Sequence, residues 1–298
     1  MVKAGGEKYQ GDWYKGKRHG KGKITLSDGT IYEGDFQYDK YHGQGIMIWT
    51  DGHEYDGQWL NYKHHGQGTM TWTDGRKYQG DWKYGKFHGK GLMVWADGHK
   101  YDGQWLSDKH HGEGIMVWTD GRIYQGEWKC GKCHGKGKMN WPNGMMYDGD
   151  WDNDKRHGIG RMIWQGSREY YGDWVEDNHH GKGLMTWTDG RIYQGKWKFG
   201  KYHGKGVMIW PDASVYNGEW QKGKCHGKGV MISSDGSKYN GEWECGLYHG
   251  QGQKIWADGK KYDGEWRRGK CEGIGKMNWT DGSSYNGSWN NDKMHGKG

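Results

Sequence analysis

Apolar and polar residues alternate along this chain in short runs. Between Tyr78 and Lys100, the residues Tyr78, Gly80 and Trp82 fall on one face of a first alternating segment, and Gly89, Gly91, Met93 and Trp95 on one face of a second. A period of two predicts β-strands. Gly85-Lys86, between a paired Tyr84 and Phe87, reads as a two-residue hairpin turn beginning with glycine. Ala96-Asp97-Gly98 reads as a three-residue connection whose glycine suits a left-handed residue after a type I turn.

The pattern recurs. Tyrosine stands at 9, 32, 55, 78, 101, 124, 147, 170, 193, 216, 239, 262 and 285, always 23 residues apart. A fixed period in the range of 20–50 residues marks a solenoid or repeat array. The loop lengths imply a register in which Trp82 faces Gly89, Gly80 faces Gly91 and Tyr78 faces Met93. Across the next turn, Met93 faces Tyr101 and Gly91 faces Gly103. The expected fold is therefore all-β: an elongated single-layer antiparallel meander of about 13 hairpins, 23 residues each. Residues 1–8 would be a lead-in and residues 9–298 one continuous repeat domain with an incomplete last repeat. At ~4.8 Å per strand such a ribbon would run on the order of 120 Å.

Composition supports rings over glycine rather than an aliphatic core. There are 59 glycines, 22 tryptophans and 21 tyrosines against 3 phenylalanines and 2 prolines, with mean hydropathy −1.24. Low hydropathy alone points to disorder, but an aromatic content of 15% argues against it. Collagen is excluded because glycine is not every third residue. No apolar run reaches the ~18–20 residues of a membrane helix, and Met1 to Glu7 lacks the apolar core of a signal peptide. On the second sheet face the same register sets Asp81 opposite Lys90, Glu127 opposite Lys136, Glu219 opposite Lys228, Asp148 opposite Arg161 and Asp263 opposite Lys276, with Lys196 opposite Lys205 as a misfit.

The motif Y-x-G-x-W-x-x-G-K-x-H-G-x-G, complete as Tyr78, Gly80, Trp82, Gly85, Lys86, His88, Gly89 and Gly91, resembles the MORN (membrane occupation and recognition nexus) repeat family over essentially the whole chain. The resemblance implies a scaffold of the kind that MORN-only proteins provide as cytoskeletal, ciliary or membrane-proximal organisers.

Candidate chemistry is sparse. The histidine column from His19 to His295, interrupted by Glu272, places equivalent side chains two strands apart, about 9–10 Å, against ~2.0–2.3 Å for zinc–ligand bonds. Local hydrogen bonding is the expected role, and neither metal nor cofactor is expected. Cys130-Gly131-Lys132-Cys133-His134 spells a haem-attachment motif. In the repeat frame, however, Lys132 and His134 are column residues, and Cys130 with Cys133 forms an expected cross-turn pair. Five cysteines without framework spacing fit a reducing cytoplasm. The G-x-G pairs open no helix, so they are not nucleotide loops. Asp97 and its equivalents read as turn residues. No nucleophile, base and orienting group recur together, so no enzyme is expected.

Two surfaces remain. A glycine furrow between aromatic walls would take a protein or peptide partner through Tyr78, Trp82, Trp95, Tyr101, Trp105, Trp118, Tyr124 and Trp128. Alternatively, a lysine edge including Lys17, Lys40, Lys63, Lys86, Lys109, Lys132 and Lys155, opposite an aspartate edge and on a chain of net charge +7, would meet anionic lipids such as phosphoinositides or phosphatidic acid. Nucleic acid is disfavoured because positive charge is not gathered on one face. The uncapped last repeat leads to the expectation of a homodimer or end-to-end oligomer, or of a chain continued in a longer protein.

Overall fold

The computed structural model describes residues 6–296; the first residues of the expected lead-in and the last two of the final repeat lie outside the described residues. The chain is all-β. Twenty-six strands run from Lys8–Tyr14 to Lys293–His295, and no helix occurs among the described residues. Each complete repeat supplies a seven-residue and a nine-residue strand, such as Lys77–Lys83 and Lys86–Val94. The chain divides into two compact units, residues 1–144 with 151–154, and residues 145–150 with 155–298. Within each unit the strands pair antiparallel in chain order, as Lys77–Lys83 does with Thr71 to Gly66 before it and Val94 to Lys86 after it.

The expected pairing holds along the middle of each strand. Gly80 pairs with Gly91 and Tyr78 with Met93; across the next turn Gly91 pairs with Gly103 and Met93 with Tyr101. The three-residue connection also holds. Gly98 N donates to Trp95 O at 2.9 Å, Trp95 N donates to His99 O at 3.0 Å, and Gly98 is left-handed at φ 93°. Asp97 Oδ1 accepts the His99 backbone N–H at 3.2 Å, the turn role that its position implies.

The other end of the hairpin corrects the expectation. Lys83 pairs with Lys86 and Trp82 with Phe87, so the loop is Tyr84-Gly85 rather than Gly85-Lys86. Both loop residues are left-handed, at φ 53° and 84°, as a type I′ turn requires and as the strand twist favours. Trp82 consequently faces Phe87 on one side and Gly66 on the other, while Gly89 faces Trp105. The two-residue difference is absorbed by a bulge between Gly80 and Trp82, opposite which Gly89 takes φ 56°.

The bulge also redirects the charges. Asp81 Oδ2 accepts the backbone N–H of Lys90 at 2.8 Å, and Glu127 Oε1 that of Lys136 at 2.8 Å, so these carboxylates cap the bulge. Glu219 stands opposite Lys205 and His226, not Lys228, and Lys228 stands opposite Glu242. Arg161, expected opposite Asp148 of the strand before it, stands opposite Tyr171 of the strand after it and also pairs with Glu169 at 2.7 Å. Asp263 does oppose Lys276. Lys196 opposes Lys182 and His203 rather than Lys205.

The hydrophobic core is one layer of rings. Tyr78 is fully buried. It stacks on Phe87 with centroids 4.0 Å apart and 21° between planes, and meets Trp82 and Trp105 edge-on at 5.1 and 5.6 Å. Its hydroxyl donates to Asp81 O at 2.8 Å, and the Trp82 indole N–H donates to Gly68 O at 3.1 Å. A Cβ on Gly91 would lie 2.6 Å from Tyr78 ring carbons. Glycine is therefore required wherever a tyrosine lies across the sheet. The tyrosine hydroxyl bond recurs in all thirteen repeats, from Tyr9 to Tyr285.

Candidate interaction surfaces

The sheet has a ring face and a second, polar face, and they differ in what they leave open. On the ring face, Tyr78, Tyr101 and Tyr124 have no exposed surface and Trp82, Trp105 and Trp128 are buried. The glycine row beneath them is filled by the chain's own tyrosines, so the expected furrow is closed. Of the eight residues proposed for partner contact, Trp95 and Trp118 keep accessible surface, being half-buried. Each lies beside the three-residue turn under a flat or charged neighbour. His99 stacks on Trp95 at 4.1 Å, and the Arg122 guanidinium lies 5.0 Å above Trp118 while it pairs with Asp120 at 2.8 Å.

The lid over each tyrosine has no signature in the sequence, because its column holds Arg18, Tyr41, His64, Phe87, His110 and Cys133 at equivalent positions. No single side-chain character marks it. His64, His110 and His179 stack on Tyr55, Tyr101 and Tyr170 at 3.9 Å. Burial pushes all three imidazoles down to about 4. The neighbouring histidine column serves the backbone: Tyr32 and Tyr124 hydroxyls lie 3.4 Å from the carbonyls of His42 and His134. Among the described residues no group of three or more His, Cys, Asp or Glu is placed to hold a metal ion.

Cys130 and Cys133 do not form a cross-turn pair. Cys130 is an exposed loop residue at φ 53°, whereas Cys133 is buried opposite Trp128, and all five cysteines are free thiols. Burial raises the Cys133 thiol and pushes those of Cys225 and Cys271 up to about 12, so these three are poor nucleophiles.

Lys17, Lys40, Lys63, Lys86, Lys109, Lys132 and Lys155 are all exposed, each as the first residue of its strand beside the two-residue turn. Aspartate in that turn reaches the preceding hairpin: Asp108 Oδ1 accepts the Phe87 N–H at 2.8 Å, and Asp154 Oδ1 that of Cys133 at 2.8 Å.

The polar face contains grooves that alternation alone does not reveal. Glycine backbones form their floors, and alternate side chains rise on either side. In the first unit, Gln10, Lys21, Lys23, Glu33, Ile46 and Asp56 line about 690 Å³. In the second, Ile159, Tyr171, Lys182, Leu184, Lys196 and Lys205 line about 570 Å³.

Among solved structures, the chain is similar to the TCP domain of SAS-4 (dCPAP) in complex with a proline-rich motif of Ana2 (dSTIL) from Drosophila melanogaster, at 11% identity and TM-score 0.33, covering 59% of this chain and 90% of that one. The wild-type TCP10 domain of Danio rerio CPAP matches at 9% identity and TM-score 0.25, covering 74% and 92%. Selenomethionine-substituted virginiamycin B lyase from Staphylococcus aureus matches at 11% identity and TM-score 0.15, covering 95% and 89%. No curated protein sequence matches the chain. The MORN repeat model matches thirteen consecutive segments: 9–31, 32–54, 55–75, 78–100, 101–121, 124–146, 147–166, 170–190, 193–215, 216–238, 239–261, 262–284 and 285–298. Ring, glycine and turn thus recur in register with a family model that spans the sequence, and the chain belongs to the MORN repeat family.

Proposed function

We propose that this protein is a non-catalytic scaffold of the cytoplasm that presents its repeats to protein or peptide partners. The observation that carries the reading is that large apolar side chains stay in solvent at repeated columns: Leu92 and Ile115 on the polar face, and half-buried Trp95 and Trp118 beside the turns. Repeated exposed apolar surface is characteristic of interaction sites. Self-association is part of the proposal, since the strand Lys8–Tyr14 is bonded along one side among the described residues. A strictly monomeric mass by light scattering at high concentration would remove that part.

The test of the scaffold reading is capture from the native cell, with the intact chain as bait beside Trp95→Ala/Trp118→Ala and Leu92→Lys/Ile115→Lys variants. A defined set of proteins held by the wild type and lost from at least one folded variant is expected. No enrichment over an unrelated bait would sink the reading. The exposed lysine row supports a second reading, a peripheral module for anionic lipids. Vesicle co-sedimentation across a salt series separates the two: binding that is absent, or insensitive to salt, removes the lipid reading.

A further inference from the structure

The groove of the second unit departs from the repeat at adjoining positions. Tyr171 follows the repeat tyrosine, where other repeats carry Gln79, Asp102, Gln125 or Gln194, and it is the one aromatic residue in that column. It is 55% exposed beside Ile159 at 52% and Leu184 at 38%. Lys196 stands where other repeats carry Asp81, Glu127, Asp173 or Glu219, and it is the one basic residue of its column.

The second departure abandons a structural role. At this column Asp35, Asp81, Asp150 and Asp173 each accept the bulge N–H nine residues on, at 2.8 Å. Lysine has no acceptor, so Lys196 cannot do the same for Lys205. It also stands directly opposite Lys182, and like charges facing across strands destabilise a sheet. Asp173, the acid in the groove's lining, is engaged by the Lys182 N–H, and Glu219 opposes Lys205 from the next strand, with His203 opposite Lys196. No ion pair holds Lys182, Lys196 or Lys205 among the described residues. The corresponding groove of the first unit differs: Lys21 pairs with Asp35 at 2.7 Å and Lys23 with Glu33 at 2.9 Å.

The geometry points to a docking site for an extended acidic peptide of a partner protein, which rests on the scaffold reading above and assigns it a place. Carboxylates of the peptide meet Lys182, Lys196 and Lys205, and an apolar side chain seats against Tyr171, Leu184 and Ile159. The lining spans five strands, from Ile159 to Lys205. Four inter-strand steps of ~4.8 Å correspond to about six extended residues at ~3.3 Å each. Charge complementarity with alternating apolar contact favours such a peptide over a bare anion, which has nothing to place on the tyrosine.

The test uses the full chain and a displayed library of random peptides of about eight residues, with selected sequences measured by fluorescence anisotropy. Lys196→Asp and Tyr171→Gln each restore the residue type of other repeats, so both fold, and Lys196→Asp melts higher than the wild type. Selected peptides are expected to be rich in Asp and Glu around one large apolar residue, to weaken about tenfold or more against either variant, and to ignore substitutions at Lys21. No enrichment, neutral or basic selected peptides, or equal affinity for Lys196→Asp overturns the proposal. So does binding of inorganic phosphate or phosphatidic acid vesicles that depends on Lys196 while acidic peptides fail to bind. Cellular partners captured equally by wild type and both variants overturn the site and leave the scaffold reading intact; no captured partner at all removes that reading itself.

Discussion

At the residue scale, the motif is a packing rule. A tyrosine laid flat across a sheet needs two cross-strand glycines beneath it, a planar or compact lid above it and tryptophan edges on both sides. Burial raises the tyrosine hydroxyls well above their usual range, so they remain neutral donors to the carbonyl three residues on. The prediction at this scale is Gly91→Ala. The added Cβ meets ring carbons at 2.6 Å, and the ring cannot retreat because Phe87, Trp82 and Trp105 enclose it. Destabilisation of about 3 kcal/mol is expected by denaturant melts. Tyr78→Phe in the same chain should not rescue it, since the ring carbons remain. Gly85→Ala meets no atom and is limited to the cost of its left-handed φ of 84°, so it should cost about 1 kcal/mol.

At the element scale, the hairpin shows how far alternation can be read. The strands, their faces and the Gly80–Gly91 and Tyr78–Met93 pairings were legible because each strand has a period of two. The turn and the bulge were not, for a physical reason. Moving the loop from Gly85-Lys86 to Tyr84-Gly85 shifts the tip pairing by two residues, and a shift of two leaves every side chain on its face. Hydrophobic pattern is blind to that change, whereas backbone handedness is not. The turn also joins neighbouring hairpins, through the Asp108 carboxylate on the Phe87 N–H. Asp108→Ala should cost about 1 kcal/mol in a thermal or urea melt, the worth of one exposed charge-assisted bond. Asp108→Asn, which keeps the acceptor, should recover most of it.

At the scale of the whole molecule, the three half-buried lid histidines couple stability to pH. Their folded values lie near 4 against an ordinary 6.5, so between those values the unfolded chain binds more protons than the folded one. Stability is therefore full above about pH 6.5 and falls as pH drops towards 4. The turn aspartates, held low by backbone N–H bonds, lose their contribution only at still lower pH. Replacing His64, His110 and His179 together by Phe, the residue that performs the same role at Phe87, should flatten the melting temperature between pH 6.5 and 4. An unchanged pH profile would contradict the assignment of these imidazoles as neutral lids.

The sequence by itself determined the repeat, the strand faces and the complementarity of ring and glycine, since these follow from period and from the absence of a Cβ. It also marked Lys196 as a misfit, although against Lys205 rather than Lys182. Tertiary structure decided where the two-residue slack of each hairpin is taken up, which mixed column covers the tyrosines, and that the glycine furrow closes on its own rings. Those outcomes depend on backbone handedness and on which side chains meet across strands, and a pattern of period two carries neither. The polar-face groove follows from the same cause: once the rings are sealed on one side, the open glycine floor with Tyr171 and Lys196 above it lies on the other.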